Sequence, residues 1–513
     1  MINKDDHRER ALRKLRSELQ KDVGTAVFLS KQCGIWELLR LGYLLHIIRL
    51  QTHLEDRRKE MTDADVLSMH LTDDAVKYAL SLVVRNGQWQ TGAKNVRLKL
   101  NNDLTNALRE VCQHINLKYE YLPLVAMADV EVSGERDQHA AIDLNSIMHA
   151  PEKARIANYS TRLDSHTFEG KNSLRELEPF LAYFQSEYAG VADLFEAEAG
   201  ISLSDYCEGL RKLFRLLTTK MATAEESCAF HGNGRVDILA SKTFYAMAPA
   251  AVLSNAELLT AVGSKFLAYM KRQRFRPEDL NNSELRFHHL TRRPYIFGDD
   301  FLIAFPEAIL DSIFTNAHFS ILERLETKPE YIDRRSKEFI DKIVDRSSRH
   351  GFSEVGRDVF LNESKKKNLG DIDLVLEHKQ SGKKLLIEAK NHALPLDVYF
   401  RVFEAVGKHL VRTKEWERKV KRRIEFLERR GGDVSISAPY KYIIVSLHPE
   451  ILSHDSEILC LSIDEFEQWI ESECSDENFE AFYRTRYETV SPSLSIADYK
   501  TLFKQGFSLA QFG

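Results

Sequence analysis

The sequence predicts an α/β protein with two parts: a mostly α-helical N-terminal region and a C-terminal α/β domain with a mixed central sheet. Apolar residues recur at helical spacing through much of residues 1–328. Residues 329–513 instead combine helical stretches with short β-rich runs, and they include a hairpin pattern at 370–391. The segment TKPEY at 327–331 is the best candidate for the boundary between the two parts.

The helical prediction for residues 1–328 rests on repeated apolar stripes. Leu12, Leu15 and Leu19 recur at the spacing of one helix face. We expect this region to recognise a substrate or a protein partner, or to assemble a homo-oligomer. Further helical patterns cover residues 101–118, 173–222 and 255–272.

Composition sets limits on the class of protein. The 513 residues suggest two to four domains, and 43% hydrophobic with 29% charged residues is ordinary for a globular protein. Because the net charge is −5, contacts with nucleic acid must come from local basic patches. Six cysteines without a CxxC pattern fit a reducing cytoplasm and argue against a zinc ribbon. We expect no secretory signal and no membrane span.

The elements expected in residues 329–513 follow the order α-β-β-β-α-β. A helix at 336–349 is predicted to end at Gly351, and SEVGRDVFL is the first strand. The hairpin supplies the next two strands, and a long helical stretch then covers 397–430. Such an order places helices on both faces of a mixed sheet. Further strands are expected at 442–447 and 458–463.

The hairpin gathers polar side chains at its open end. Two β-rich runs, IDLVLE and KLLIEA, flank the turn sequence KQSGK. A turn centred on 380–381 places Asp373 opposite Glu388, and Asp371 opposite Lys390. Since side chains alternate between the faces of a strand, these four lie on one face, while apolar residues fill the other.

Carboxylates gathered in this way favour a divalent cation. Neighbouring acids raise one another's pKa unless a positive charge compensates them. Mg²⁺ prefers carboxylate oxygens and keeps waters for substrate phosphates, and we expect Mn²⁺ to substitute for it. A lysine beside the metal can stabilise developing negative charge or position an attacking water. The pattern therefore indicates metal-assisted hydrolysis of phosphodiesters.

An acid on one strand followed by Glu-x-Lys on the next resembles the PD-(D/E)XK nuclease superfamily. The form GDIDLVL followed by IEAK looks most like its restriction-endonuclease-like branches with a G-x-x-D start. The match identifies Asp373 as the strand acid, and Glu388 and Lys390 as the E-x-K pair. Asp371 has no counterpart in the motif and is assigned as an auxiliary metal ligand. The literal Pro-Asp is absent, and the resemblance covers about residues 330–470.

The resemblance implies a restriction-endonuclease-like fold for residues 329–513 and a Mg²⁺-dependent nuclease. It favours DNA over RNA as the substrate, by endo- or exonuclease cleavage, in bacterial defence or DNA repair. Related nucleases often carry an extra acid on the helix before the first strand. Glu338 is the candidate for that acid, and a solvated helix glutamate is an equal interpretation.

The positions after the E-x-K pair depart from the pattern. Relatives often carry a Gln or Tyr motif on the next helix, where this chain has Tyr399, Lys408 and His409. His392 follows the motif closely, and a hydrogen-bonded surface histidine is the favoured interpretation.

The segment RTKEWERKVKRRIEFLERR at 412–430 is strongly basic. Helical spacing can gather four of its cations on one face, which would bind phosphates in a salt-dependent way. A charged, solvated face with internal ion pairs is the competing interpretation. The four predicted nucleic-acid-binding residues are Lys414, Arg418, Lys421 and Arg422.

Other functions stay open on sequence grounds. The C-terminal domain can be a nucleic-acid-binding module without cleavage, or the helical region can be the functional part of an interaction protein. An ordinary surface hairpin with charge pairs is the structural alternative to the metal site. No P-loop, HExxH or GxSxG motif occurs, so the sequence offers no case for an NTPase, a zincin protease or a serine hydrolase.

Overall fold

The computed structural model describes most of the chain as helices and strands that form two compact units. The sheet unit comprises residues 1–12, 122–170 and 332–507, and the helical unit comprises 13–121, 171–331 and 508–513. The described residues are 4–53, 63–90, 100–133, 139–143, 145–168, 177–231, 241–276, 288–322, 328–364, 367–399, 401–429, 436, 439–488 and 507–508.

The N-terminal part is mostly helical, as predicted. Long helices dominate it, and the described strands in it are short. In chain order the elements are α1 (Lys4–Ser30), α2 (Ile35–His53), α3 (Asp63–Asn86), α4 (Asn102–Met127), β1 (Asp129–Ser133), β2 (His139–Asp143), α5 (Asn145–His149), α6 (Pro151–Phe168), α7 (Leu177–Tyr188), α8 (Ala192–Ala199), α9 (Leu203–His231), α10 (Ser241–Met247), β3 (Val252–Ser254), α11 (Asn255–Arg272), α12 (His288–Arg292), β4 (Ile296–Phe297), β5 (Phe301–Ile303) and α13 (Pro306–Leu322).

The remaining elements include the strands of the sheet unit's central sheet and the helices around it. A five-stranded mixed sheet has the strand order β10-β9-β8-β7-β6. Strands β6, β7 and β8 pair antiparallel, whereas β8, β9 and β10 pair parallel. The elements are α14 (Lys328–Ser348), β6 (Phe352–Ser364), β7 (Lys367–His378), β8 (Lys384–Lys390), α15 (Leu396–Tyr399), α16 (Phe403–Arg429), β9 (Tyr440–Ser446), β10 (Cys460–Ser462), α17 (Ile463–Glu471), α18 (Phe479–Tyr483) and β11 (Phe507–Ser508).

The contacts do not divide the chain at the predicted boundary between residues 328 and 329. Residues 122–170 belong to the sheet unit, although they come early in the chain. The Arg162 guanidinium on α6 donates two hydrogen bonds of 2.7 Å to the Glu465 carboxylate on α17, and both side chains are buried. A buried arginine is tolerated only beside a counter-charge, so this ion pair fixes α6 against the C-terminal elements.

The hairpin has the predicted register. Val375 pairs with Leu386 and Glu377 pairs with Lys384 across β7 and β8. The ladder ends one pair before Asp373 and Glu388, where the Asp373 Oδ2 atom accepts a hydrogen bond of 2.6 Å from the Ala389 amide. The prediction of a hairpin with its acids at the open end is therefore confirmed.

Helices cover both faces of the sheet. On one face, Leu374 and Ile387 pack with residues of α14 and α17, including the fully buried Trp469. On the other face, Val375 and Leu386 pack with apolar residues of α16. Burial on both faces explains why apolar residues alternate with the acids on the α16 side.

One residue departs from the predicted alternation. Ile372 packs with the cluster that contains Val375, whereas strict alternation would place it with Leu374. The pairing of β7 with β6 shows no register shift at this point, but Asp358 on β6 has a φ of +49°, which is uncommon within a strand. Helix α14 ends near Gly351 as predicted, and the φ of +83° at Gly351 is a conformation that glycine adopts without strain.

The helical unit contains a buried group of four charges. The Arg49 guanidinium lies 2.8 Å from Asp73 and 2.7 Å from Asp311, and the Lys77 ammonium lies 3.0 Å and 2.6 Å from the same two carboxylates. Burial alone would raise the pKa of Asp311, but the two neighbouring cations outweigh it and lower that pKa. Balanced charge makes the group tolerable inside the unit.

Removing one anion should strongly destabilise this group. We expect Asp73→Ala to lower the free energy of unfolding by about 3–5 kcal/mol, because Arg49 and Lys77 would then share one carboxylate. Urea denaturation followed by circular dichroism measures the change. Glu208→Ala, which removes exposed ion pairs of α9, is the control and should cost less than about 1 kcal/mol. Equal losses for both variants would contradict the structural role of the buried charges.

Among the described residues, no helix has the length and apolar character needed to span a bilayer.

Candidate functional site

The structure brings together the acid and the Glu-x-Lys pair predicted from the sequence. The Lys390 Nζ atom lies 2.7 Å from the Glu388 Oε1 atom and 4.0 Å from the Asp373 Oδ2 atom. Strand alternation places Glu388 and Lys390 on the α16 side of β8, and the hairpin register brings Asp373 beside them. Glu388 is buried, while Asp373 and Lys390 keep about a fifth of their side chains exposed.

A second cation, Arg423 of α16, contacts the other side of Glu388. Its Nη1 atom donates to the Glu388 Oε2 atom and also to the Tyr442 hydroxyl, at 3.1 Å. Its Nε atom donates to the Leu369 carbonyl at 3.0 Å. Both carboxylate oxygens of Glu388 are therefore bound by cations of the chain itself.

Sequence reasoning missed Arg423, although it lies within the predicted basic segment. The helix face predicted to bind phosphates consisted of four other cations of the same segment. Arg423 instead lies at helical spacing from Val420 and Leu427, which are buried against the sheet. This position on the apolar stripe was the available signal for a buried, paired arginine.

The Asp373 carboxyl group is difficult to ionise despite the nearby cations. Burial and the neighbouring Glu388 carboxylate raise its pKa from 3.8 to about 6, against opposing effects of Lys390 and the Ala389 amide. The Asp371 carboxylate adds to the increase. Burial is the largest cause, so the raised pKa reflects mainly the cost of charging a buried carboxylate, and a bound cation would offset that cost.

The carboxylates fit a hard divalent metal by their chemistry. Asp373 and Glu388 are the two residues that would supply its oxygen ligands, with partly buried Asp371 as an auxiliary. A metal bound to both oxygens of Glu388 would have to compete with Lys390 and Arg423. The chain's own cations thus reduce the need for a metal that the sequence pattern alone suggested.

Glu338 lies on α14 but is paired elsewhere. Its carboxylate is 2.7 Å from the Arg335 guanidinium, three residues earlier. The same helix touches the end of β8, because the Asn391 side-chain amide donates to the Arg335 carbonyl at 2.6 Å. Among the described interactions, Glu338 has no contact with Asp373, Glu388 or Lys390, so its role as an extra acid remains a prediction.

The predicted basic face of α16 is largely paired with acids. Lys414 contacts Asp455, and Arg418 contacts Glu415 on the same helix. Lys421 lies 3.1 Å from Glu417 and 2.7 Å from Glu457. Arg422 is exposed, as are Lys414 and Arg418. These contacts match the competing interpretation of a charged solvent face, while Arg418 and Arg422 still present cations to solvent.

Comparisons with known proteins give no relative: no protein-family model, no curated protein and no solved structure matches this chain.

The raised pKa of Asp373 predicts a pH-dependent stability difference. In the unfolded chain this carboxyl ionises near 3.8, whereas the fold holds it protonated up to about pH 6. The cost of ionising it in the fold therefore develops between pH 4 and 6 and persists above pH 7. We expect Asp373→Asn to be more stable than the wild type by up to about 3 kcal/mol at pH 8 without metal.

Melting curves of the two proteins from pH 5 to 8, in the presence of a chelator, measure this difference. The advantage of Asp373→Asn should grow towards neutral pH and then level off. Glu377→Gln, on the same strand at its turn end, is the control and should show no such trend. A difference that stays flat with pH, or a less stable Asp373→Asn at pH 8, would show that the carboxylate is fully compensated.

Two exposed arginines of α16, Arg418 and Arg422, give a test of phosphate binding. If they contact duplex DNA, replacing Arg418 and Arg422 by Gln should weaken binding to all sequences alike. It should also flatten the slope of log affinity against log salt by roughly 0.9 for each lost contact. Fluorescence anisotropy at several salt concentrations measures the slope. Lys212→Gln with Arg215→Gln on α9 removes the same charge elsewhere, and an equal effect of both pairs would refute a specific role for α16.

Proposed function

We propose that the sheet unit hydrolyses phosphodiester bonds of nucleic acid, DNA in preference to RNA, with the help of Mg²⁺ or Mn²⁺. The observation that carries this proposal is the grouping of Asp373, Glu388 and Lys390 at the open end of one hairpin. Two carboxylates for a metal and one ammonium for the reacting phosphate are the parts that such hydrolysis needs.

Asp373 and Glu388 would hold the metal, with Asp371 as an auxiliary. A bound Mg²⁺ supplies a Lewis acid for a phosphoryl oxygen and lowers the pKa of bound water. The pKa of about 6 at Asp373 supports this assignment, because a carboxylate that resists ionisation gains most from a cation nearby.

Lys390 would act on the reacting phosphate. Its ammonium is partly exposed and lies between the two carboxylates, where a phosphate oxygen can approach it. There it can orient a water or stabilise the negative charge that develops as the phosphodiester bond breaks. The ring of Trp416 lies beneath this ammonium, with 6.0 Å between the Nζ atom and the ring centroid.

Arg423 would position Glu388 for that reaction. Its hydrogen bonds to Glu388, Tyr442 and the Leu369 carbonyl fix the guanidinium in the interior, away from any substrate. A buried carboxylate with such a partner keeps one orientation, which preorganises a metal ligand.

The topology agrees with a restriction-endonuclease-like domain, which we propose for the sheet unit. The elements α14, β6, β7, β8, α16 and β9 follow the α-β-β-β-α-β order, and helices cover both faces of the mixed sheet. The two acids and the lysine lie on the second and third strands of that order, as in the resemblance drawn from the sequence.

A non-cleaving nucleic-acid-binding module is the second candidate function. The contact of Arg423 with Glu388 favours it, because an internal cation already occupies one side of the proposed metal ligand. In that case Lys390 and the exposed arginines of α16 would bind phosphates, and Glu388 would serve only to hold the two cations.

The Lys390 side chain separates cleavage from binding. We expect Lys390→Ala to fold and to bind DNA, while single-turnover cleavage falls by about 10²–10³-fold, as for the loss of one charge partner in a transition state. Lys384→Ala is the matched control, since it removes a lysine from the other end of β8 and should leave cleavage unchanged. Gel assays with single- and double-stranded DNA and RNA, with Mg²⁺ or Mn²⁺, measure the rates.

Two outcomes would contradict the proposal. Cleavage by Lys390→Ala at the wild-type rate would show that the active site is elsewhere. A wild-type protein that binds nucleic acid and cleaves none of these substrates with either metal would instead favour the binding module. Calorimetric titration with Mg²⁺ adds a direct test of the ligands, because Asp373→Ala should bind the metal more weakly than the wild type.

A further inference from the structure

Two histidines and a glutamate form a second cluster in the sheet unit, beyond the ends of two parallel strands. Strands β8 and β9 are in register up to the pair Lys390 and Ser446. His392 follows the end of β8 by two residues, and Glu450 follows the end of β9 by four. The carboxyl ends of parallel strands meet at one edge of a sheet, so the two residues lie close together there. His409 joins them from α16.

The side chains converge on a small volume. One ligand atom from each of the three residues lies within 4.8 Å of the other two. The Glu450 carboxylate is 2.8 Å from the His409 Nε2 atom and 3.0 Å from the His392 Nε2 atom. Ligands at about 2.1 Å from a tetrahedral ion lie roughly 3.4 Å from one another, so the observed separations are close to those of a metal site.

The cluster is incomplete as a hydrogen-bonded network. His409 and the Oε2 atom of Glu450 share one hydrogen bond. The His392 Nε2 atom and the Glu450 Oε1 atom are close but not aligned for a hydrogen bond, and the buried His392 Nδ1 atom also has no partner. Glu450 is fully buried, and leaving an atom of such a carboxylate unsatisfied is costly. These buried atoms point to a missing ligand.

Neighbouring groups support the segments that carry His392 and Glu450. The Glu450 carbonyl accepts a hydrogen bond of 2.8 Å from Arg162, which is itself paired with Glu465. The His392 ring lies edge-on to Trp416, with 5.1 Å between the centroids. The Leu447 amide donates to the Lys390 carbonyl at 3.0 Å and joins the segments that carry His392 and Glu450. Such support holds ligands in place before a metal binds.

From this geometry we infer a transition-metal site in which His392, His409 and Glu450 bind Zn²⁺. Two imidazoles and one carboxylate form a ligand set that zinc enzymes use, with a fourth position left for water. Imidazole ligands favour zinc over Mg²⁺, which distinguishes this site from the Asp373 and Glu388 carboxylates. The metal would bind two atoms that now make no hydrogen bond, Nε2 of His392 and Oε1 of Glu450, and would lie between them.

A zinc ion here would join three segments of the sheet unit. It would link the residue just beyond β8 to α16 and to the turn after β9. About a fifth of the His392 side chain is exposed, which provides an entry path for the ion. The inference does not depend on nuclease activity, since it rests on residues other than the proposed catalytic group.

Zinc titration of the full-length protein tests the inference. The protein is stripped with a chelator and then titrated with Zn²⁺ in competition with a chromophoric chelator. We expect one tightly bound equivalent. His392→Asn and His409→Gln should each weaken binding by more than about 100-fold, because even the loss of an outer partner costs 10–100-fold. His378→Asn, at a histidine of β7, is the matched control and should bind like the wild type.

Two further measurements keep the test decisive. Asp373→Asn should retain full Zn²⁺ binding, which separates this site from the proposed Mg²⁺ ligands. X-ray absorption of the zinc-loaded wild type should show two imidazole ligands and no thiolate, so the result stands even where a variant fails to fold. A wild type that binds no Zn²⁺, a site with sulfur ligands, or histidine variants that bind like the wild type would overturn the inference.

Discussion

The buried ion pair between Glu388 of β8 and Arg423 of α16 is the interaction on which the arrangement of the candidate site depends. It crosses from the central sheet to the helix that covers it, and both partners are almost fully buried. Separating the two would leave the Arg423 guanidinium without this counter-charge and Glu388 with Lys390, and an uncompensated buried charge is far more costly than the loss of a surface pair. The pair therefore fixes the distance between strand and helix, and with it the positions of Lys390 and Asp373 on one side and of Tyr442 on the other.

The hairpin could be predicted from the sequence because its determinants are local. Alternation of apolar and charged residues, and a short polar turn, define both the register and the face of each side chain. The pairing of Val375 with Leu386 follows from these alone. Local order also predicts the approximate positions of the other strands, whereas the parallel pairing of β8 with β9 and of β9 with β10 joins separate segments and follows from no local pattern.

The parts that could not be predicted depend on contacts between distant segments. Arg423 resembles its basic neighbours in sequence, and only the packing of α16 on the sheet shows that it faces inward. As single histidines in the sequence, His392 and His409 give no sign of a metal site. The site becomes visible only when the segment after β9 brings Glu450 close to both. The early segment 122–170 joins the sheet unit through Arg162 and Glu465, which are about 300 residues apart in the chain. Spacing rules contain no information about such pairs.

The backbone at Gly370 connects the motif glycine to the charge balance of the site. Its φ of +86° favours glycine, and a Cβ atom placed there would lie 2.6 Å from the Arg423 Nη2 atom. The absence of a side chain on this residue of β7 thus makes room for the Arg423 guanidinium. A larger residue at position 370 would displace the Arg423 guanidinium from its hydrogen bond with the Leu369 carbonyl. Among the described cations, Lys390 would then be the remaining partner of Glu388. The glycine thereby determines whether Arg423 as well as Lys390 can contact the Glu388 carboxylate. The number of these contacts in turn affects how strongly the carboxylates attract a metal ion.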